Sequence, residues 1–137
     1  MIDENMINLE IVTPEKKVID EKVETVNVPT ANGEIGILAS HAPLVSTIRA
    51  GILSYQNKGT TEEMVVSGGF VEVSNDKVSI LVDIVEKVDD VNIESAKTEK
   101  DDAQKALGGW KGTEDEFEVE LERLEKAQAR LELVAKN

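Results

Sequence analysis

Punctuation divides this chain more sharply than any other feature. All three prolines (Pro14, Pro29, Pro43) and six of the nine glycines lie before Glu86, and after Ile84 the next glycine is Gly108. Glycine and proline interrupt regular structure, so the first part must be built from short elements joined by turns. The stretch after Glu86 is rich in Glu, Lys, Ala and Leu, which favours helices.

Period-two alternation identifies the short elements as strands. Ile7, Leu9 and Ile11 share one face while Asn8 and Glu10 take the other. Val26 and Val28 flank Asn27, Leu53 and Tyr55 flank Ser54, and Val71 and Val73 flank Glu72. Val78, Ile80, Val82 and Ile84 alternate with Ser79 and Asp83 among the residues between them. Such alternation marks half-buried antiparallel strands. Asn57-Lys-Gly59 and Ser74-Asn-Asp-Lys77 carry the chemistry of tight turns. About eight to ten short strands between Ile7 and Val85 predict a sandwich or a flattened barrel.

The remainder predicts two helices. The first runs from about Asn92 to Leu107, with Asp89 or Asp90 as its N-cap and Ile93, Ala96, Ala103 and Leu107 as its apolar positions. Gly108-Gly109 is expected to end it in a left-handed cap. Thr113 with Glu116 three residues on is a capping-box pattern that starts the second helix, which runs to about Ala135. There Phe117, Leu121, Leu124, Gln128 and Leu131 form one narrow stripe, as in a helical hairpin seam. Acids crowd its start and bases its later turns, complementing the helix dipole. A few large apolar side chains cannot offset the ordering of about forty residues, so the hairpin needs a docking surface. With more than one such surface available, a marginal element of this kind is a switch.

Composition excludes several functions. The net charge of −13 repels phosphate backbones and anionic headgroups, which argues against nucleic acid and against direct lipid binding. The polar face of the last helix is acidic, the reverse of what a membrane-surface helix presents. No apolar run reaches the roughly 20 residues of a membrane span, and the acidic start Met1-Ile-Asp-Glu-Asn5 is unlike a secretory signal, so a cytoplasmic protein is expected. With no cysteine and one histidine, His41, an ordinary zinc site cannot be assembled, and no Gly-x-Ser-x-Gly accompanies His41, which reads as a loop histidine that hydrogen-bonds locally or touches a partner. The paired acids Asp89-Asp90, Asp101-Asp102 and Glu114-Asp115-Glu116 lack the alternation and central glycine of a calcium loop and read as caps and solvated faces. Gly33-x-x-Gly36 lacks the lysine of a phosphate loop and reads as a turn, and Gly68-Gly69 as a bulge or close backbone approach. The residues thus describe an acidic β-domain with a helical hairpin that works by protein contacts, without catalytic residues, metal or cofactor.

Val28-Pro-Thr-Ala-Asn-Gly-Glu-Ile-Gly-Ile-Leu-Ala-Ser-His-Ala-Pro-Leu44, continued by Arg49-Ala-Gly51 and followed by Ser67-Gly-Gly-Phe-Val-Glu-Val73 and Val78-Ser-Ile-Leu-Val-Asp83, resembles the epsilon subunit family of bacterial F-type ATP synthases. The order and spacing of these blocks extend the resemblance over essentially the whole chain. It implies an antiparallel β-sandwich of about ten strands over residues 1–86 and a two-helix antiparallel hairpin over 87–137. It further implies a non-catalytic rotor subunit at the cytoplasmic face of the bacterial plasma membrane. The sandwich would join the gamma subunit to the c-ring, and the hairpin would alternate between a compact form and an extended one that blocks the catalytic alpha/beta hexamer. By position, Glu34 corresponds to the c-ring-facing acid and His41 to a gamma-facing site. Some members bind ATP on the compact hairpin through Ile/Leu-Asp-x-x-Arg-Ala. Here Asn92 stands in place of the acid and Ser95 in place of the arginine, which argues against nucleotide binding. From Glu114 onward eight acids outnumber four bases, which predicts a weak or differently regulated block of hydrolysis.

A sandwich module for adhesion or ligand binding, self-associating through the Phe117–Leu131 stripe, is the alternative that the residues alone leave open. A jelly-roll enzyme would need clustered histidines that this chain lacks.

Overall fold

A computed structural model describes residues 5–137. The stretch Met1–Glu4, which includes most of the acidic N-terminal start, lies outside the described residues. Eight strands come first: β1 Ile7–Val12, β2 Lys17–Val23, β3 Thr25–Thr30, β4 Gly33–Ile37, β5 Leu44–Ile48, β6 Gly51–Asn57, β7 Thr60–Ser74 and β8 Lys77–Glu86. A single 3-10 turn, Val88–Asp90, leads to helices α1 Ile93–Gly108 and α2 Glu114–Lys136.

The strands form one hydrogen-bonded sheet, ordered β2-β1-β8-β7-β5-β3-β4, with β6 pairing β3 and β7. It closes over itself because β7 serves both layers. Its first half pairs with β6, and its second half pairs with β5. The change of direction falls at Gly68-Gly69, with φ of 70° and 146°. A Cβ on Gly69 would stand 1.8 Å from the carbonyl oxygen of Leu81, so only glycine lets β7 cross β8 this closely. The close backbone approach expected from this dipeptide is therefore present.

The strand count is eight, at the low end of the eight to ten read from alternation and slightly below the ten that the resemblance implies. Alternation cannot separate one long bent strand from two short ones, and β7 spans 15 residues. Nor is the sheet wholly antiparallel: β1 and β8 run parallel, Leu9 opposite Val78 and Ile11 opposite Ile80. The turns behave as their residues dictate. Lys58-Gly59 and Asn75-Asp76 all have positive φ, the paired left-handed geometry that joins twisted strands through two-residue loops.

The alternating apolar sets identified above face one core, except at Ile84: opposite the Gly68-Gly69 bulge the alternation of β8 shifts, and Val85 packs inward in its place. Ile7, Leu9 and Ile11 pack with Val78, Ile80, Val82, Val71 and Val73 on one side, and Val26, Val28, Leu53 and Tyr55 complete it from the other. No member of this core lies beyond Val85, so the sandwich is internally complete.

Two details of the helices differ from expectation. Asn92, not Asp89 or Asp90, caps α1: its Oδ1 accepts the Ser95 amide at 3.0 Å. Asp90 instead accepts the Lys87 amide at 3.0 Å and stabilises the preceding turn. The helix ends on Gly109 at φ −130°, ψ 40°, outside the left-handed region. At α2, Thr113 Oγ1 accepts the Glu116 amide at 3.1 Å as expected, and Trp110 packs edge-on against Phe117 with ring centroids 5.8 Å apart, closing the hairpin turn.

Candidate interaction surfaces

The hairpin is folded against the sandwich, and α2 makes the contact, lying over the outer faces of β6 and β7. Side chains that point outward from these strands build the seat. Leu53 and Tyr55 enter the core, which leaves Ile52 outward beside its partner Val65. Ala129 and Leu133 of α2 cover Val65, with Ile52, Val88 and Val91 around them. Val65 and Leu133 are fully buried although neither touches the main core.

Charged groups surround this apolar seat. Arg130 binds both Glu86 carboxylate oxygens through Nε (2.5 Å) and Nη2 (3.0 Å), while its Nη1 reaches Glu99 at 3.1 Å. One guanidinium thus ties β8, α1 and α2 together, using the fork geometry that lysine lacks. At the other end of α2, Arg49 from the β5–β6 connection pairs with Glu125 and, at 3.5 Å, with Glu118. The hydrogen bond to Glu125 holds the Arg49 guanidinium more firmly protonated than usual. Ser67 Oγ donates to Glu122 at 3.1 Å, and Lys136 Nζ donates to Glu63 at 2.7 Å. The Glu63 bond likewise raises the Lys136 pKa.

No described element covers the opposite outer face. Thr47 of β5 stands opposite Phe70 of β7, which stands opposite Leu81 of β8. Phe70 is 46% exposed, Leu81 43%, and Val45, two residues before Thr47 on the same face, 70%. A shallow cavity of about 300 Å³ lined by Val12, Pro14, Gly68, Gly69, Phe70 and Leu81 adjoins them. Leu38, 61% exposed, begins the loop from β4 to β5. Exposed apolar residues grouped on one face mark contact surfaces on soluble proteins, and here the exposed acid Glu72, opposite Val45, adds a charge to that face.

The site residues inferred from the sequence fall in different places. Glu34 is exposed on the outward face of β4 opposite Pro29, just past the tight turn. His41 lies in the loop between β4 and β5, its Nδ1 donating to the Ala42 carbonyl at 2.6 Å and its amide to Leu38 O at 3.2 Å. The loop borders the uncovered face, because Val45 follows it by two residues. Asn92 and Ser95 meet each other as cap and capped amide, an architectural use of both positions. Among the described residues no group of three or more His, Cys, Asp or Glu is placed to hold a metal, and no helix is long and apolar enough to cross a membrane.

Sequence reasoning missed the docking seat. The expected seam included Gln128, which is exposed, whereas Ala127, Ala129 and Leu133 are the buried residues of α2. The helix has two covered faces, one toward α1 and one toward the sandwich. The second was detectable as Glu122, Glu125, Ala129, Leu133 and Lys136, spaced by three and four residues, but small and charged residues dominate it.

Fold and surfaces together define a two-sided docking module, a β-sandwich with one outer face occupied by its own helical hairpin and the other left apolar and open. Comparison with known proteins gives the family. Residues 6–88 match the family described as ATP synthase, Delta/Epsilon chain, beta-sandwich domain. The ATP synthase epsilon chain of Nitratidesulfovibrio vulgaris (strain DP4) is 40% identical over 128 residues, covering 93% of this chain and 95% of the relative. That of Geotalea daltonii is 36% identical over 131 residues, 96% of this chain and 95% of the relative. This chain belongs to the ATP synthase epsilon-chain family. Its fold recurs in a chain of the Euglena gracilis mitochondrial ATP synthase, solved as OSCP/F1/c-ring in rotational state 1, with TM-score 0.79, 23% identity and coverage of 95% of this chain and 81% of that one. It recurs also in the central stalk/c-ring structure of the Tetrahymena thermophila enzyme, with TM-score 0.63, 13% identity and coverage of 93% and 96%.

Proposed function

We propose that the chain is a non-catalytic rotor subunit of the ATP synthase central stalk, linking the gamma subunit to the c-ring so that proton translocation drives ATP synthesis elsewhere in the complex. Residues 1–86 would form the connecting unit and 87–137 the regulatory one. The single observation that carries this reading is the pair of unlike outer faces. One is filled by α2, and the other presents exposed Val45, Phe70 and Leu81 beside the His41 loop, with no described element upon it. In this reading His41 and the uncovered face meet gamma, and exposed Glu34 meets the c-ring. The protein is then peripheral on the cytoplasmic face of the bacterial plasma membrane, held there through the complex, since an acidic chain has little affinity for anionic lipid.

The hairpin would reach the catalytic alpha/beta hexamer only after leaving its seat. Its acid excess predicts a weak block of hydrolysis. No nucleotide dependence is expected, because Arg130 already serves two carboxylates and Asn92 and Ser95 are committed to the helix cap. The test adds the full-length chain, or a version ending at Val88, to an ATP synthase catalytic assembly stripped of its epsilon chain. Both should bind gamma, since the core ends at Val85, and the full-length chain should slow hydrolysis slightly more than the short one. Failure of both to bind overturns the reading. A strong, salt-sensitive block by the full-length chain overturns the expectation of weak inhibition.

A further inference from the structure

The loop of residues 38–43 has little to shape it. It lies between β4 and β5, contains no regular structure, and its two hydrogen bonds at His41 stay inside the loop. Ala39 packs against the core, but the next residue, Ser40, holds φ at 65°, a conformation that a non-glycine residue keeps only when something fixes it. What fixes it comes from 36 residues further along the chain: the Ser40 amide donates to Asp76 Oδ1 at 2.5 Å. Asp76 is itself rigidly held. It sits at φ 58° in the two-residue turn between β7 and β8, and its carbonyl accepts the Asn8 amide at 2.9 Å, which pins the turn to the start of β1.

We propose that Asp76 is a positioning residue that sets the conformation of loop 38–43 for partner recognition, acting through the Ser40 amide without touching the partner itself. The proposal rests on the reading above, in which this loop faces gamma. A carboxylate accepting a backbone amide is a charge-assisted bond, and it clamps the left-handed residue that separates partly buried Ala39 from His41. Released, the loop would keep its Ala39 anchor but lose the orientation of His41 and of exposed Leu38, and ordering it again would weaken binding.

The test uses the full-length chain with Asp76→Gly and Asp76→Asn. Glycine keeps the positive φ of the turn while removing the acceptor, and asparagine keeps the turn preference and an Oδ1 acceptor but not the charge. Two measurements are made: amide hydrogen exchange at Ser40 and His41 in the free chain, and affinity for purified gamma. Asp76→Gly should speed exchange at Ser40 and weaken gamma binding, each about tenfold, the worth of one charge-assisted hydrogen bond. Asp76→Asn should fall between wild type and Asp76→Gly in both, about threefold from wild type, because a neutral acceptor makes a bond about half as strong. Unchanged exchange in Asp76→Gly overturns the proposal, and so does faster exchange with unchanged affinity. Loss of affinity in Asp76→Asn as large as in Asp76→Gly also overturns it, since the acceptor is retained there. Failure of the wild-type chain to bind gamma overturns the partner reading and the recognition role with it, while the exchange result decides separately whether Asp76 orders the loop.

Discussion

Replacing Arg130 with glutamine should release the hairpin. The side chain is 16% exposed and its partner Glu86 22%, so this ion pair is neither a surface pair nor a core one. Breaking a buried pair from one side costs about 3–5 kcal/mol, whereas an exposed pair contributes about 0–1 kcal/mol. At this exposure about 2 kcal/mol is expected. Much of it arises because Glu86 and Glu99 are left to repel each other with no cation between them. That amount changes a docking equilibrium about 30-fold, so one that favours the docked form 99:1 becomes about 3:1. The chain contains no cysteine, which permits spin labels at Thr61→Cys on β7 and Gln128→Cys on α2, both exposed sites. Wild type should give a single short distance by pulsed electron resonance, and Arg130→Gln a second, longer and broader population. Arg130→Lys should fall between them, because an ammonium cannot form the fork. Adding Glu86→Gln to Arg130→Gln should recover part of the short distance by removing the unpaired charge. A single unchanged distance in Arg130→Gln would show that Ala129 and Leu133 hold the helix without help, refuting the electrostatic account.

Leu133 is the fully buried residue that α2 contributes to the docking seat, against fully buried Val65. Leu133→Ala should cost about 2–4 kcal/mol and undock the hairpin, seen as faster amide exchange in α1 and α2 with β1 and β8 still protected. Gly69→Ala should abolish the native fold, because its Cβ would overlap the Leu81 carbonyl; limited proteolysis of the soluble fraction reports this, and a resistant, native-like product would contradict it. Tyr55 is the one tyrosine, so its phenolate absorbance isolates a single group. Burial, then Glu21 and Glu62, push its pKa from 10.0 up to about 12. A raised folded pKa means that this group's contribution to stability is complete below pH about 10 and is lost as pH rises toward about 12. Absorbance of the native chain should therefore rise near pH 12 and that of the denatured chain near 10, and coincident curves would refute the burial argument.

The sandwich was legible because its signal is binary. Each strand has one face in a single core, so alternation at Ile7, Leu9 and Ile11 or at Val78, Ile80 and Val82 reports burial directly. The parallel pairing of β1 with β8 was not legible, since alternation is the same whichever way a neighbour runs. The length of β7 was hidden for a related reason: Gly68-Gly69 reads as an interruption whether the strand ends there or bends there. The cap of α1 was missed because three candidates, Asp89, Asp90 and Asn92, stand within four residues, and only the backbone decides which one precedes the first helical turn. The family's sequence blocks indicated Glu34 and His41, but not Asp76 or Arg130, whose partners lie 36 and 44 residues away along the chain.

The charge gradient of α2 has a second meaning that only the docked helix reveals. Acids toward its start and bases toward its end suit the helix dipole, and that local reason is sufficient for a helix in isolation. On the sandwich the same gradient meets its complement. The early acids Glu118, Glu122 and Glu125 face Arg49 and Ser67, and the late bases Arg130 and Lys136 face Glu86 and Glu63. Reversing the helix would set Glu118 and Glu125 toward Glu63 and Glu86, and Arg130 toward Arg49. A slide of one turn, about 5.4 Å, would carry Leu133 off Val65 and break the Glu86 fork together. The apolar contact, made by two small or medium side chains, could be satisfied in several registers, so it supplies attraction without direction. The charges supply the direction. An acidic helix can therefore rest on an acidic protein in one orientation, held through the few arginines and lysines at its two ends.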